Sequence, residues 1–394
     1  MSDAAIVGLG MTTPLGSGVA VNWAALLAGK SGVGPIRRFD ASRYPVTFAG
    51  EVHLPHAGLA LYRALIDEAL DEALAGVELG RVRPERIGVF MGSEAARPDL
   101  TELADRVLNE RPSNADEVAA HMPAAPTQQV ARRVGARGTV ATLSTACTSS
   151  GQAVGEALLA IRRGEVDVAI TGGVDVLVHP LMVTGFARLG ALSTRNHDPE
   201  GASRPFDLDR DGFVLGEGAG VMILASERVA ARVGPVLGWL RGYGCSSNAW
   251  RITDSPPDGR GAAQAMLAAL ADAKIGPDKV AYVNAHGTGT AQNDLSEARG
   301  VVRALGAYVD RVPVSSTKSM MAHLVAACGV VEAIVSLLAV RERVAPPTIN
   351  LDTPDPDCAV RHVPWKPVAL EPGVALTNAF GFGGSNATLV VAAP

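Results

Sequence analysis

Short, continuous apolar runs rich in β-branched residues recur along this chain with helix-patterned stretches between them, and that alternation restricts the fold more than any other feature. The runs are Ala4 to Leu9, Ile87 to Met91, Val140 to Leu143, Val166 to Thr171 and Val221 to Leu224, separated by helical patterns such as Leu59 to Ala75 and Gly151 to Arg162. A strand with one wet face alternates polar and apolar residues; these do not, so both of their faces are expected to be covered. The expected class is α/β, with helices layered on mixed sheets. At Arg232-Val233-Gly234-Pro235 a helical pattern stops, because Gly ends helices and Pro cannot continue one, and the alternation then restarts. The second half reads as strand Val236 to Tyr243, helix Gly261 to Ala273, strand Ala281 to Asn284 and helix Asp294 to Leu305. A strand near Val312 to Ser316, a helix Leu324 to Val340 and strands Val374 to Thr377 and Ala387 to Val391 complete it. Pro313 places the third of these strands at an edge or starts it just after the proline. Two successive halves, 1–235 and 236–394, are expected, with the active site where they meet. They share no motif.

A chain of 394 residues can bury a large core, and its net charge of -5 lacks the basic excess of a nucleic-acid binder. Cys147, Cys245, Cys328 and Cys358 lie far apart without CxxC spacing, so free thiols in a reducing compartment are expected. Met1 to Asp3 run straight into an apolar strand pattern, and no apolar run reaches ~18 residues, so the expectation is a cytoplasmic protein with no membrane contact. Three local patterns are set aside. Gly8-Leu9-Gly10 lacks the third glycine of a dinucleotide fingerprint, because Thr13 stands there. Gly29-Lys30-Ser31 lacks the first glycine of a phosphate loop, and Gly29 reads as a helix stop. His53 and His56 flank Pro55 without a third ligand and read as surface histidines, so no metal is expected.

Chemistry concentrates in four segments. VATLSTACTSSGQAV, from Val140 to Val154, reads as buried strand, tight turn and helix, placing Cys147 at a helix N-terminus. There unpaired N–H groups and the helix dipole favour a thiolate and lower the thiol pKa, and Ala146, Ser149, Ser150 and Gly151 are small enough to admit a substrate. Taken alone, such a cysteine is as often a structural core residue. YVNAHGTGT delivers His286 from the end of a strand into a turn of glycines and hydroxyls. SSTKSMMAH delivers Lys318 and His323 just before another helix. Singly, either histidine reads as structural and Lys318 as solvated; two histidines at strand ends with a helix-start cysteine form a constellation. NAFGFGGSN, Asn378 to Asn386, is a glycine-rich turn whose amides can hold an oxyanion, or a plain hairpin.

Together these segments make the chain resemble the elongating β-ketoacyl-acyl-carrier-protein synthases over essentially its full length. SRPFDLDRDGFVLGEGAG (Ser203 to Gly220) and PPTINLDTPDPDC (Pro346 to Cys358) match as well. The resemblance implies a thiolase-like duplicated fold and a Cys-His-His set. Cys147 would be the acyl-accepting nucleophile, with the N–H groups of Cys147 and Phe382 as oxyanion hole. His286 and His323 would stabilise the enolate formed as malonyl thioester loses CO2. Lys318 would pair with Glu332 and organise the site. Thr288 and Thr290 would hold the phosphopantetheine arm, Phe186 would line the acyl pocket, and Asp294 is a structural acid of the same loop. No redox cofactor or metal is implied, because the substrates ride on the phosphopantetheine of an acyl carrier protein.

The departures are informative. Ala322 stands where the family often has Gly, Arg251 replaces a common His, and Gly190 replaces a basic residue associated with carrier docking. Ala95, in MGSEA, falls where fatty-acid enzymes tend to carry a larger gate, so bulkier or more rigid chains would be admitted. The run Ala291 to Asp294 looks like type II polyketide or polyene ketosynthases more than housekeeping fatty-acid enzymes. The expected reaction is decarboxylative condensation in type II polyketide or polyene biosynthesis. The alternatives are fatty-acid elongation and a non-catalytic chain-length subunit, against which the retained Cys147, His286 and His323 speak. The family forms dimers, so a homodimer or a heterodimer with a related subunit is expected.

Overall fold

The computed structural model describes residues 3–98, 100–112 and 115–394. Met1 and Ser2, on which the reading of the amino terminus partly rests, lie outside the described residues. Ten principal strands form one continuous mixed sheet: β1 (Ala4–Thr13), β2 (Ile87–Ser93), β3 (Val140–Leu143), β4 (Val168–Asp175), β5 (Gly218–Ser226), β6 (Gly238–Ser247), β7 (Val280–Asn284), β8 (Pro313–Ser315), β9 (Val374–Phe380) and β10 (Ser385–Ala392). The first five lie in the order β3-β2-β4-β5-β1 and the second five in the order β8-β7-β9-β10-β6. Numbered within each half, both orders are 3-2-4-5-1. Parallel and antiparallel pairs also repeat: β2 runs parallel to β3 and β4 as β7 does to β8 and β9, while β5 and β10 are antiparallel to both neighbours. The fold is therefore duplicated and thiolase-like, joined at a seam where Ala4, Ala5 and Ile6 of β1 pair antiparallel with Leu240, Trp239 and Gly238 of β6.

Six helices build the layers: α1 (Gly58–Leu74), α2 (Ala125–Val134), α3 (Ser149–Arg162), α4 (Arg260–Ala273), α5 (Ala291–Leu305) and α6 (Cys328–Glu342). α1 and α2 cover the outer face of the first half, and α4 with α5 behind it covers that of the second. Between the halves lie α3 and α6, packed on each other and on strands of both halves. α6 is buried on every side from Cys328 to Val340, which its sequence allows because Glu332 and Ser336 are the only polar residues in that span. The strands reach their neighbours through buried aliphatic side chains on both faces, as their continuous apolar runs require.

Three local expectations change. Gly8 and Gly10 lie inside β1 and not after it. A Cβ at either would fall 2.2 Å from the Ala73 carbonyl oxygen or 1.9 Å from that of Ala69, so they are glycines because α1 crosses the strand there. Pro313 is the first residue of β8, which lies between β7 and a two-residue strand at Arg361–His362, so it opens an interior strand; the missing N–H falls at the strand end. The helix expected from Leu324 begins at Cys328, preceded by a 3-10 turn at Val325–Ala327, because the chain first bends around the His323 side chain. Gly29, as expected, follows a helix (Val19–Leu27) with a left-handed φ of +64°. His53 and His56 are exposed.

Candidate active site

Cys147, His286 and His323 come from three separate loops and meet at the inner ends of α3 and α6. Cys147 lies in a 3-10 turn (Ala146–Thr148) that feeds α3 directly. It is 8 % exposed, His286 2 % and His323 3 %. His323 Nε2 is 3.1 Å from Cys147 Sγ, and the two imidazole rings stand 5.2 Å apart at 82°. The Val325 N–H donates to His323 Nδ1 at 3.3 Å, which makes Nδ1 an acceptor and places the ring proton on Nε2, facing the sulfur. Burial, then the charge of Lys318, holds both imidazoles well below the usual histidine range, so both are neutral at pH 7. A neutral ring whose N–H faces the sulfur, with a second neutral ring beside it, can stabilise a developing oxyanion without giving up a proton.

Burial pushes the Cys147 thiol up to about 12, against Lys318 and the Phe382 N–H, which favour the thiolate. The lowered pKa expected from the helix start is therefore reversed: desolvation outweighs the helix terminus in a site this closed. The Phe382 N–H nonetheless acts on the same sulfur, and the Gly381 backbone runs so close that a Cβ there would lie 3.3 Å from Cys147 N. The glycine-rich turn between β9 and β10 is thus both a hairpin connection and a neighbour of the thiol.

Lys318 and Glu332 form a fully buried ion pair behind the two histidines. Burial pulls the Lys318 ammonium down, but Glu332, with Cys328 and Glu297, outweighs it and keeps it charged. Cys147, His286 and His323 are also close enough to grip a cation, as are His286, Cys328 and Glu332. The fixed positive charge of Lys318 beside both groups works against such binding.

A cavity of about 360 Å³ opens onto the thiol, lined by Cys147, His286, His323, Phe186, Phe382, Thr288 and Thr290 among others. Phe186 packs edge-on against Phe213 at 5.5 Å and lies 6.4 Å from Phe382, giving one apolar wall. The hydroxyls of Thr288 and Thr290 lie 2.9 Å apart in the same lining and make it partly polar. Asp294 accepts the Thr288 and Gly289 N–H groups and so folds that turn. Ala95 is the exception among the expected residues. It does not line this cavity but sits in the bend after β2, with a left-handed φ of +77°. Two acids have no signal in the sequence. Glu297 accepts the N–H groups of His286 and Gly287 and the Asn378 amide. Asp175 pairs with Arg97 and accepts the Ala326 N–H just past His323; burial raises it to about 7 despite that pairing.

A duplicated α/β fold that carries a buried thiol and two neutral imidazoles at its pseudo-symmetric centre defines an acyltransferase that works through thioesters. The chain belongs to the β-ketoacyl synthase family. The beta-ketoacyl synthase N-terminal domain matches residues 1–72 and 61–230, and its C-terminal domain residues 237–352. It is 39 % identical to 3-oxoacyl-[acyl-carrier-protein] synthase 2 of Synechocystis sp. over 98 % of this chain and 96 % of that one. Identity to the synthase of the same name from Coxiella burnetii is 38 %, over 98 % and 97 %. Among solved structures, a type II PKS ketosynthase in complex with its acyl-carrier protein superposes with a TM-score of 0.91 at 30 % identity, covering 100 % of this chain and 99 % of that one. A β-ketoacyl synthase from Burkholderia phymatum gives 0.90 at 30 %, covering both chains fully. No described helix is long and apolar enough to cross a membrane.

Proposed function

We propose that this enzyme condenses an acyl chain held on Cys147 with the malonyl thioester of an acyl carrier protein. Cys147 Sγ attacks the incoming acyl thioester carbonyl, the carrier thiol leaves with the proton, and the N–H groups of Cys147 and Phe382 hold the oxyanion. Malonyl thioester then binds with its arm against Thr288 and Thr290. Its carboxylate leaves as CO2, the electron pair remains as an enolate whose oxygen faces the N–H groups of His286 and His323, and the enolate carbon attacks the acyl-Cys147 carbonyl. The C–S bond breaks, the Cys147 thiolate takes up one proton from solvent and β-ketoacyl thioester departs. Burial, reinforced by the charge of Lys318 paired with Glu332, keeps both histidines neutral through this cycle. The observation that carries the reading is the convergence of His323 Nε2 and the Phe382 N–H on one sulfur. Residues 1–235 would then supply the nucleophile and 236–394 the histidine pair.

Within this activity we read the chain as a type II polyketide or polyene ketosynthase, supported by the Ala291 to Asp294 run and by its likeness to the type II PKS ketosynthase. Fatty-acid elongation is the second reading, favoured by the names of the relatives at 38 and 39 % identity. The partners would be an acyl carrier protein and a second subunit. For the latter, Val107, Leu108, Val118 and Met122 expose apolar side chains, and one edge of β3 is unpaired among the described residues. Intact-mass spectrometry after incubation with a panel of acyl-carrier proteins tests the reading: wild type should gain acyl adducts graded by chain, and Cys147→Ala none. No adduct with any donor would overturn it.

A further inference from the structure

The bend that follows β2 brings a carboxylate to the nucleophile turn that the mechanism above does not use. Glu94 Oε1 accepts the Ala146 N–H at 2.9 Å and the Ser144 hydroxyl at 3.0 Å. The Ser149 hydroxyl lies 3.1 Å away and shares its proton between this oxygen and the Ala146 carbonyl at 2.6 Å. These groups bracket Cys147 from both sides. Ala146 needs the support, because its φ of +54° is left-handed, a conformation costly to any residue with a Cβ. Glu94 is itself rigidly held. Gly92, two residues earlier, is pressed so closely on the start of α3 that a Cβ there would lie 2.3 Å from Ser150 N. The negative charge also faces the positive end of the α3 dipole. Glu94 Oε2 has no hydrogen bond among the described residues.

We propose that Glu94 is a positioning residue: its Oε1 fixes the strained Ala146 turn and thereby aims Cys147 Sγ at His323 Nε2 and the Phe382 N–H. The proposal rests on the reading of Cys147 as nucleophile. Geometry and charge separate cleanly at this residue. Glutamine keeps a carbonyl oxygen for the same donors, since the flipped amide would set its NH2 against them, while it removes the charge. Alanine removes both. The Glu94 charge is among the influences that hold the thiol up, so its removal favours the thiolate.

The test compares wild type with E94Q and E94A. In acyl transfer from an acyl-carrier protein to Cys147, E94A should slow the maximal rate by about tenfold or more, with little change in KM for the carrier, and E94Q should recover most of that loss. In alkylation by iodoacetamide between about pH 7.5 and 9.5, E94Q should react faster than wild type at each pH. A residue that merely supports the fold would not accelerate the thiol. Acyl transfer by E94A at the wild-type rate overturns the proposal, as does an E94Q that fails to recover. Should E94A melt below the assay temperature, E94Q decides alone: acyl transfer slowed about tenfold or more, although its carbonyl keeps the Ala146 contact, overturns the assignment. The alkylation arm needs no acyl donor. Refusal of every acyl donor by wild type therefore strikes the condensing function, whereas an indifferent E94A beside an acylated wild type strikes only Glu94.

Discussion

Residue by residue, the site is assembled from conformations that its amino acids do not prefer, and Ala322 is the clearest case. Its φ of +62° and ψ of -173° fall in a region open essentially to glycine alone, where a side chain costs ~1–3 kcal/mol. The strain is held by its surroundings: the Ala322 N–H donates to the Lys318 carbonyl and the His323 N–H to that of Val214, so the chain on both sides is fixed. The departure seen in the sequence, alanine where glycine is common, is thus a stored cost beside a histidine of the site. Glycine would release the strain, lose ~0.5–1 kcal/mol to the greater freedom of the unfolded chain and leave a methyl-sized gap beside Gly50 and Gly216. Ala322→Gly should therefore stabilise by about 1 kcal/mol and raise Tm by about 2 °C, with His323 still in place. A calorimetric scan showing an unchanged or lower Tm would refute the strain argument.

At the scale of elements, the crossing of α3 and α6 sets where the thiol stands. Gly151 and Gly329 are the contact: a Cβ on Gly329 would fall 2.4 Å from Gly151 N and 2.7 Å from Gly151 Cα, both backbone atoms that cannot give. Gly329→Ala must push the helices apart, and because Cys147 sits two residues before α3 the thiol moves with them. Overpacking of this kind costs about 1–3 kcal/mol or more. The variant should melt several degrees lower and lose acyl transfer, and a purified Gly329→Ala with wild-type Tm would show that the two helices do not meet as described. Such elements were legible in the sequence to within a few residues, because buried strands and an all-apolar helix leave unambiguous patterns. Cys147, His286, His323 and Lys318 were legible as a set because each follows such an element in a loop of small residues, whereas Glu332, inside α6, and Phe382 were singled out only by the resemblance. Glu94, Asp175 and Glu297 were not. Their partners lie elsewhere in the chain, Ala146 for Glu94 and Ala326 for Asp175, and no local spacing reports such a contact. The sign of the thiol shift was missed for a related reason: a helix start is visible in a sequence, but the depth of burial around it is decided by loops from the other half.

For the molecule as a whole, the repeated 3-2-4-5-1 strand order is a duplication that the residues no longer record, since two halves need to share only the apolar pattern that places each strand and not its side chains. The consequence is that neither half closes its own core. α3 belongs to the first half yet packs on β6 and β10 of the second, and α6 belongs to the second yet packs on β4 and β5 of the first. Separating the chain after residue 235 would open the β1–β6 seam, leaving two sheet edges unpaired, and would expose α6, which is apolar all round and has no face suited to water. At about 25 cal/mol per Å², each ~400 Å² of apolar surface so exposed costs about 10 kcal/mol, comparable with the ~5–15 kcal/mol by which a domain is stable. Residues 1–235 and 236–394 expressed separately should therefore be insoluble or lack a cooperative melt, and co-expression should recover a soluble complex in which Cys147 again takes an acyl chain. Sedimentation and near-ultraviolet circular dichroism of each half decide the matter. A single half that stays soluble and melts cooperatively would mean that the middle layer is an interface between independent domains and not one shared core.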